Sequence, residues 1–124
     1  MAKRKILVVD DEPQIVESLK FRLEANNYEV ITAFDGEEGL EKAKATKPDL
    51  IILDIIMPGM DGTVMATALK DDSNTEHIPV IFLTCLVKKA EEKKAEDRIG
   101  HDFIIAKPFE AEELLSMIQK ALSK

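Results

Sequence analysis

Residues 48–62 read PDLIILDIIMPGMDG, and this stretch decides the fold. It contains an unbroken apolar run, Leu50–Leu53, which is closed by Asp54. A strand covered on one face alternates apolar and polar residues, whereas an unbroken apolar run is typical of a strand covered on both faces. The stretch therefore predicts a strand of a parallel sheet that lies between two layers of helices.

Three other apolar runs of similar length repeat this pattern along the chain. They are Ile6–Val9, Val80–Leu83 and Phe103–Ala106. Glu29–Ala33 is a fifth candidate strand, and it shows more alternation of polar and apolar residues than the other four, as a strand at the edge of a sheet does. We therefore expect four buried strands and one edge strand.

Segments with helical spacing follow each of these strands. The first begins near Pro13, the second ends before Pro48, and the third follows Asp61, which is a favoured N-cap residue. The fourth, Lys88–Arg98, is almost entirely charged and has little to bury, while the fifth carries a clear apolar stripe over Leu114–Leu122. Strands and helices thus alternate along the chain.

Five strands that alternate with five helices predict an α/β fold. Right-handed crossovers build a doubly wound parallel sheet, and five strands favour the flavodoxin-like order 2-1-3-4-5. This order places the edge-like second strand outside and the first and third strands near the centre. Ligands of such sheets bind beyond the carboxyl ends of the strands, where the first and third strands meet.

Polar residues occur at the carboxyl ends of the predicted strands. Acids follow the first and third strands at Asp10, Asp11 and Asp54, a hydroxyl closes the fourth at Thr84, and Lys107 follows the fifth. Several carboxylates at one edge repel each other unless a cation is bound. Oxygen ligands suit Mg²⁺, which keeps several waters and leaves room for a phosphoryl group that the hydroxyl and the lysine can contact.

Each acid also has a purely structural interpretation. Asp10 and Asp11 could end a strand and cap the next helix, and Asp54 could belong to the turn that precedes Pro58. Their joint occurrence at adjacent strand ends favours the site. We expect Glu12 to be a solvated acid of the first helical turn, with a place beside the metal as the alternative.

The chain resembles the receiver domain of two-component response regulators. The segments ILVVDDEP, PDLIILDIIMPGMDG, IPVIFLT and FIIAKPF carry this resemblance in order along nearly the whole chain. It implies that Asp54 accepts a phosphoryl group from a phosphohistidine. It also implies that Thr84 is the switch hydroxyl and Lys107 the active-site lysine. The implied Mg²⁺ ligands are Asp10, Asp11, Asp54 and the backbone carbonyl of Ile56.

The resemblance implies a signalling protein that catalyses only its own phosphorylation and dephosphorylation. We expect one receiver domain over residues 1–124 without an effector domain, a histidine kinase or phosphotransfer protein as donor, and an unknown downstream protein as target. A pseudo-receiver that binds proteins without being phosphorylated is the alternative. A haloacid-dehalogenase-type phosphatase would need a D-x-D pattern, and a flavin carrier would need a Ser/Thr/Gly-rich loop where this chain has DDEPQ.

Composition supports this class of protein. The 124 residues suit one domain, and 17 basic against 24 acidic residues give a net charge of −7, which argues against direct nucleic-acid binding. One cysteine cannot form an internal disulfide, and no apolar run is long enough for membrane insertion. We therefore expect a cytoplasmic protein.

Four positions depart from the family's pattern, namely Ile56, Cys85, Leu86 and Ile104. Ile104 stands where the family commonly has an aromatic residue, and Phe103, one residue earlier, should point to the opposite face of its strand. In the family, the positions of Ile56 and Leu86 flank the phosphoryl group, and both residues are apolar here. We therefore expect slow hydrolysis of the phosphorylated form, because no side chain at these two positions orients a water molecule.

Overall fold

The computed structural model describes residues 3–84, 103–106 and 109–123. The strands are β1 (Lys5–Val9), β2 (Glu29–Ala33), β3 (Leu50–Asp54), β4 (Val80–Thr84) and β5 (Phe103–Ala106). The helices of the described ranges are α1 (Pro13–Ala25), α2 (Gly36–Thr46), α3 (Gly62–Lys70) and α4 (Ala111–Leu122). The predicted charged helix, Lys88–Arg98, lies outside the described residues.

All five strands are parallel and form one sheet in the order β2-β1-β3-β4-β5. The predicted doubly wound, flavodoxin-like order is therefore confirmed, including the edge position of β2. Val9 pairs with Leu53, and Asp54 pairs with Leu83, so the carboxyl ends of the three central strands lie side by side. Any polar residues that follow these strands meet at one edge.

Two apolar layers cover the sheet. One face packs on α1 and α4 and buries Ile6 and Val8 of the first strand, while the other face packs on α2 and α3 and buries Leu7 and Val9. Successive strand residues point to opposite faces, so a strand buried on both faces must be apolar throughout. Along the part of the chain that the structure describes, no helix is both long and apolar enough to span a bilayer.

The residues at the amino-terminal ends of α1 and α3 explain why these helices begin where they do. Pro13 occupies the first turn of α1, where its missing N–H costs no hydrogen bond. Asp61 caps α3 as predicted, because one of its carboxylate oxygens accepts hydrogen bonds from the backbone N–H groups of Thr63 and Val64 at 2.9 and 3.0 Å. The Thr63 hydroxyl and the Val64 N–H lower the pKa of Asp61 because they stabilise its charged form.

Candidate functional site

Asp10 and Asp54 emerge together from the centre of the sheet. Their preceding residues, Val9 and Leu53, are paired across β1 and β3, so the two aspartates occupy equivalent places one residue further on. Asp10 is fully buried and Asp54 is 5 % exposed. Carboxylates are almost never this buried unless other groups compensate them, which makes the pair a candidate functional site.

Four carboxylates converge at this point. They belong to Asp10, Asp11, Glu12 and Asp54, and each offers an oxygen within 4.8 Å of the others. The sequence placed the three aspartates at this edge, and the structure brings them together. Glu12, for which we preferred a solvated place in the first helical turn, reaches solvent and also joins the cluster.

The two buried aspartates are oriented in the same way. Asp10 Oδ1 accepts the Glu12 backbone N–H at 2.9 Å, and Asp54 Oδ1 accepts the Ile56 backbone N–H at 3.4 Å. Each carboxylate therefore bonds to the backbone two residues on, which is the local pattern of an Asx turn. This contact fixes the direction of both side chains as the chain leaves the sheet.

The donor set fits a hard divalent cation. Two unit charges about 4 Å apart repel each other by about 4 kcal/mol at an effective dielectric constant near 20, and this cluster contains four acids within 4.8 Å of one another. A cation removes that repulsion. Carboxylate oxygens are ligands of Mg²⁺, and the partly exposed acids leave a side open to water. The residues present thus fit a magnesium ion.

The loop from Ile55 to Asp61 joins β3 to α3. Ile55 N–H donates to Leu83 O at 3.0 Å, and Gly62 N–H donates to Ile55 O at 2.8 Å. Ile56 lies in this loop with 48 % of its surface exposed. Gly62, directly after the N-cap residue Asp61, closes this loop, a contact that the residue pattern alone does not predict.

The remaining predicted site residues lie toward β4 and β5. Thr84 closes β4 one residue beyond Leu83, the partner of Asp54, and its backbone pairs with Ala106. The Thr84 side chain and Lys107 lie outside the described residues, so their roles stay predictions. The strands β4 and β5 nevertheless end at the same edge of the sheet as β1 and β3, where the acidic cluster lies.

Phe103 and Ile104 lie on opposite faces of β5, as predicted. Phe103 packs in the layer formed with α1 and α4, whereas Ile104 packs in the layer formed with α2 and α3. Both side chains are buried. Phe103 therefore cannot take the place of an aromatic side chain at position 104.

Comparison with known families identifies the class of this domain. A family profile described as the response regulator receiver domain matches residues 6–119. The chain belongs to the response regulator receiver family. This receiver domain is thus a component of two-component signalling, and its acidic cluster lies where the first and third strands of the fold end.

Curated relatives share the receiver domain at moderate identity. The alkaline phosphatase synthesis transcriptional regulatory protein PhoP of Bacillus subtilis is 41 % identical over 121 residues, which cover 98 % of this chain and 49 % of that protein. The response regulator PleD of Caulobacter vibrioides is 43 % identical over 100 residues, which cover 81 % of this chain and 22 % of that protein. The chain thus spans about half or less of the length of these relatives.

Solved structures agree with the fold. The chemotaxis protein CheY4 of Vibrio cholerae matches with a TM-score of 0.85 and 34 % identity, covering 98 % of this receiver domain and 100 % of that chain. A response regulator from Chloroflexus aurantiacus matches with a TM-score of 0.85 and 30 % identity. The predicted family and the predicted fold are both confirmed.

Proposed function

We propose that this receiver domain accepts a phosphoryl group on Asp54 from a phosphohistidine, in a reaction that depends on Mg²⁺. The donor is a histidine kinase or a phosphotransfer protein, and phosphorylation changes the affinity for a downstream protein. The observation that carries the proposal is the convergence of Asp54 with three other carboxylates at the ends of β1 and β3, in a chain of the receiver family.

The reaction is a direct transfer. A carboxylate oxygen of Asp54 attacks phosphorus and forms a P–O bond while the P–N bond of the phosphohistidine breaks, and the imidazole nitrogen leaves with the bonding electron pair. The buried position of Asp54 at the carboxyl end of β3 holds this oxygen in place, because its Oδ1 is oriented by the Ile56 N–H. Positioning of the nucleophile is a main source of rate in phosphoryl transfer.

The metal ligands in this proposal are Asp10, Asp11, Asp54 and the backbone carbonyl of Ile56. When bound, Mg²⁺ offsets the charge of the acids and of the incoming phosphoryl group. Asp10 is held for this purpose by the Glu12 N–H, and Asp11 reaches solvent, where a hydrated ion enters. By holding a cation, these residues would allow an anionic donor to approach an otherwise acidic site.

Thr84 and Lys107 complete the proposed site. Thr84 would donate its hydroxyl to a phosphoryl oxygen, and the Lys107 ammonium would pair with another. Both roles are supported by the family resemblance and by the strand ends that lead to these positions. The domain in this proposal acts in the cytoplasm and catalyses only its own phosphorylation and dephosphorylation.

Intact mass after incubation with acetyl phosphate and Mg²⁺ tests the proposal. We expect the wild type to gain one phosphoryl group and Asp54→Asn to gain none, although asparagine keeps an oxygen for the Ile56 N–H. Asp49→Asn is the matched control, because Asp49 lies at the opposite end of β3 and accepts the Lys5 N–H at 2.8 Å. This control should be phosphorylated like the wild type.

Other outcomes would contradict the proposal. Equal phosphorylation of the wild type and of Asp54→Asn would exclude Asp54 as the acceptor. A wild type that binds Mg²⁺ but gains no phosphoryl group from acetyl phosphate or from a phosphorylated kinase would favour the pseudo-receiver, which binds its partners without phosphorylation.

A further inference from the structure

Gly62, the first residue of α3, packs directly on the backbone of the acceptor. A Cβ atom added to Gly62 would contact the Asp54 carbonyl oxygen, and it would lie 2.8 Å from Ile55 Cα and 3.0 Å from the Asp54 carbonyl carbon. All three atoms belong to the backbone, so no side-chain rotation can relieve the contact. Only a residue without Cβ allows this approach.

The same glycine closes the loop that follows the acceptor. Its N–H donates to Ile55 O at 2.8 Å, while Ile55 N–H donates to Leu83 O at 3.0 Å. The loop is therefore tied to β4 at its start and to α3 at its end. Ile56, whose carbonyl is the proposed backbone ligand of the metal, is the first residue inside this closed loop.

We propose that Gly62 is a positioning residue of the phosphoryl-acceptor site. Its bare Cα and its N–H together set where the backbone of Asp54 and Ile55 lies, and through them the carbonyl of Ile56. A side chain at position 62 would displace this backbone, weaken Mg²⁺ binding and slow phosphorylation. The inference rests on the proposed function of Asp54, and it concerns a residue that touches neither the metal nor the phosphoryl donor.

Gly39 supplies a matched control in the same layer of the fold. A Cβ atom there would lie 2.9 Å from Val9 Cγ2 and 3.0 Å from Met65 Cε, which are the ends of side chains. Gly39→Ala therefore disturbs the packing of α2 against β1 and α3, but it meets no backbone atom of the acceptor loop. Loss of stability alone should affect both variants, whereas loss of the site geometry should affect only Gly62→Ala.

The first experiment compares the wild type, Gly62→Ala and Gly39→Ala. Circular dichroism verifies folding, calorimetric titration with Mg²⁺ gives the Kd, and intact mass gives the rate of phosphorylation by acetyl phosphate. We expect Gly62→Ala to bind Mg²⁺ about tenfold more weakly and to react roughly 100-fold more slowly, as small misplacements of reacting groups do. Gly39→Ala should stay within about twofold of the wild type in both quantities, since its added methyl group contacts the ends of side chains and no backbone atom of the site.

A second measurement uses the wild type alone and does not depend on the folding of a variant. If the hydrogen bond from Gly62 to Ile55 sets the metal site, binding of Mg²⁺ must in turn stabilise this bond, because coupling is reciprocal. Amide hydrogen exchange should therefore slow more at Gly62 than at Met65, whose N–H donates to Asp61 O at 3.0 Å one turn further along α3. Equal slowing at the two amides would overturn the inference.

The outcomes separate this inference from the proposed function. A wild type that binds Mg²⁺ without being phosphorylated refutes the acceptor role, and the Kd of Gly62→Ala still tests the positioning role. A folded Gly62→Ala that binds Mg²⁺ and reacts like a phosphorylated wild type refutes the positioning role alone. A wild type that binds no Mg²⁺ overturns both.

Discussion

Two strand-to-helix junctions at the same edge of the sheet use acidic residues in opposite ways. At the junction from β2 to α2, Asp35 caps the helix by accepting the Glu38 N–H at 2.8 Å, and Glu38 accepts the Phe34 N–H at 2.9 Å. At the junction from β1 to α1, the N-cap residue Glu12 makes no capping bond with its side chain, and Asp10 turns into the acidic cluster instead.

The difference follows from the neighbours of each strand. β2 is an edge strand, whereas β1 lies beside β3, where Asp54 emerges next to Asp10. An aspartate after an edge strand finds only the N–H groups of its own helix and stabilises them as a cap. An aspartate between two central strands meets other carboxylates, so its charge becomes available for a cation. The position in the sheet thus decides what the same side chain does.

Asp10→Asn should have the largest effect, because it removes a carboxylate charge from the acidic cluster. With Mg²⁺ at about 100 times the wild-type Kd, binding should raise the free energy of unfolding of the wild type by about 2.7 kcal/mol. Asparagine keeps an oxygen for the Glu12 N–H but removes one ligand charge. We therefore expect Mg²⁺ affinity to fall by about tenfold or more and the gain to shrink to about 1.4 kcal/mol or less.

Urea unfolding with and without Mg²⁺ measures this effect. Asp35→Asn is the control, because asparagine remains a good N-cap and Asp35 lies outside the acidic cluster. Its gain from Mg²⁺ should equal that of the wild type. An equal gain in Asp10→Asn would show that the acids after β1 do not bind the metal.

Ile56→Asn tests a third junction, the loop from β3 to α3. This loop begins beside Asp54 and ends at Asp61, the N-cap residue of α3. An exposed amide at position 56 can orient a water molecule toward the phosphoryl group, which the isoleucine side chain cannot. We expect dephosphorylation about tenfold faster, which corresponds to a barrier lower by about 1.4 kcal/mol. Loss of the phosphorylated mass with time measures the rate.

Ile56→Leu is the apolar control for this rate and should behave like the wild type. A rate that is unchanged or slower in Ile56→Asn would contradict the explanation, because the loss of a water-orienting group could then not account for a long-lived phosphorylated form.

Asp35→Ala tests the N-cap of α2 at the junction that follows β2. Removal of the cap leaves the Glu38 N–H without its acceptor, and we expect the free energy of unfolding to fall by about 1 kcal/mol. Affinity for Mg²⁺ should not change. Denaturant unfolding and Mg²⁺ titration of the same sample measure the two quantities. An unaltered stability together with weaker Mg²⁺ binding would reverse the roles assigned to the two junctions.

Glu38→Gln gives the smallest expected effect, and it depends on pH. The Phe34 N–H, followed by the Lys42 side chain, lowers the pKa of Glu38 from its ordinary value of 4.5. The ionised Glu38 side chain therefore stabilises the folded state above about pH 4.5, and this contribution is lost as the pH falls through the lowered pKa. The Glu38 side chain is partly exposed, and its ion pair to Lys42 is 2.9 Å long. We therefore expect Glu38→Gln to lower the free energy of unfolding by only a few tenths of a kcal/mol.

Stability measured from neutral pH down to about pH 3 should fall less steeply in Glu38→Gln than in the wild type. Glu41→Gln, an exposed position on the same helix, serves as the control and should follow the wild-type curve. Superimposable curves for Glu38→Gln and the wild type would exclude Glu38 as a contributor to acid sensitivity.

The sequence by itself determined the strands, their order and the edge where ligands bind. Unbroken runs such as Leu50–Leu53 are visible without a structure, because a strand buried on both faces tolerates no polar side chain. The polar residues mixed into Glu29–Ala33 likewise indicate the edge strand, and Asp61 indicates the start of α3. These features are local, since each depends on the few residues that form one strand or one helix turn.

Which acids share a site, and which glycine packs against it, depends on how distant segments come together in the fold. Glu12 and Asp35 both lie between a strand and a helix, yet only Glu12 joins the acidic cluster, because β1 and not β2 adjoins β3. The role proposed for Gly62 depends on the close approach of its Cα to the backbone of Asp54. Distances between segments depend on register and helix packing, which no local pattern of residues contains.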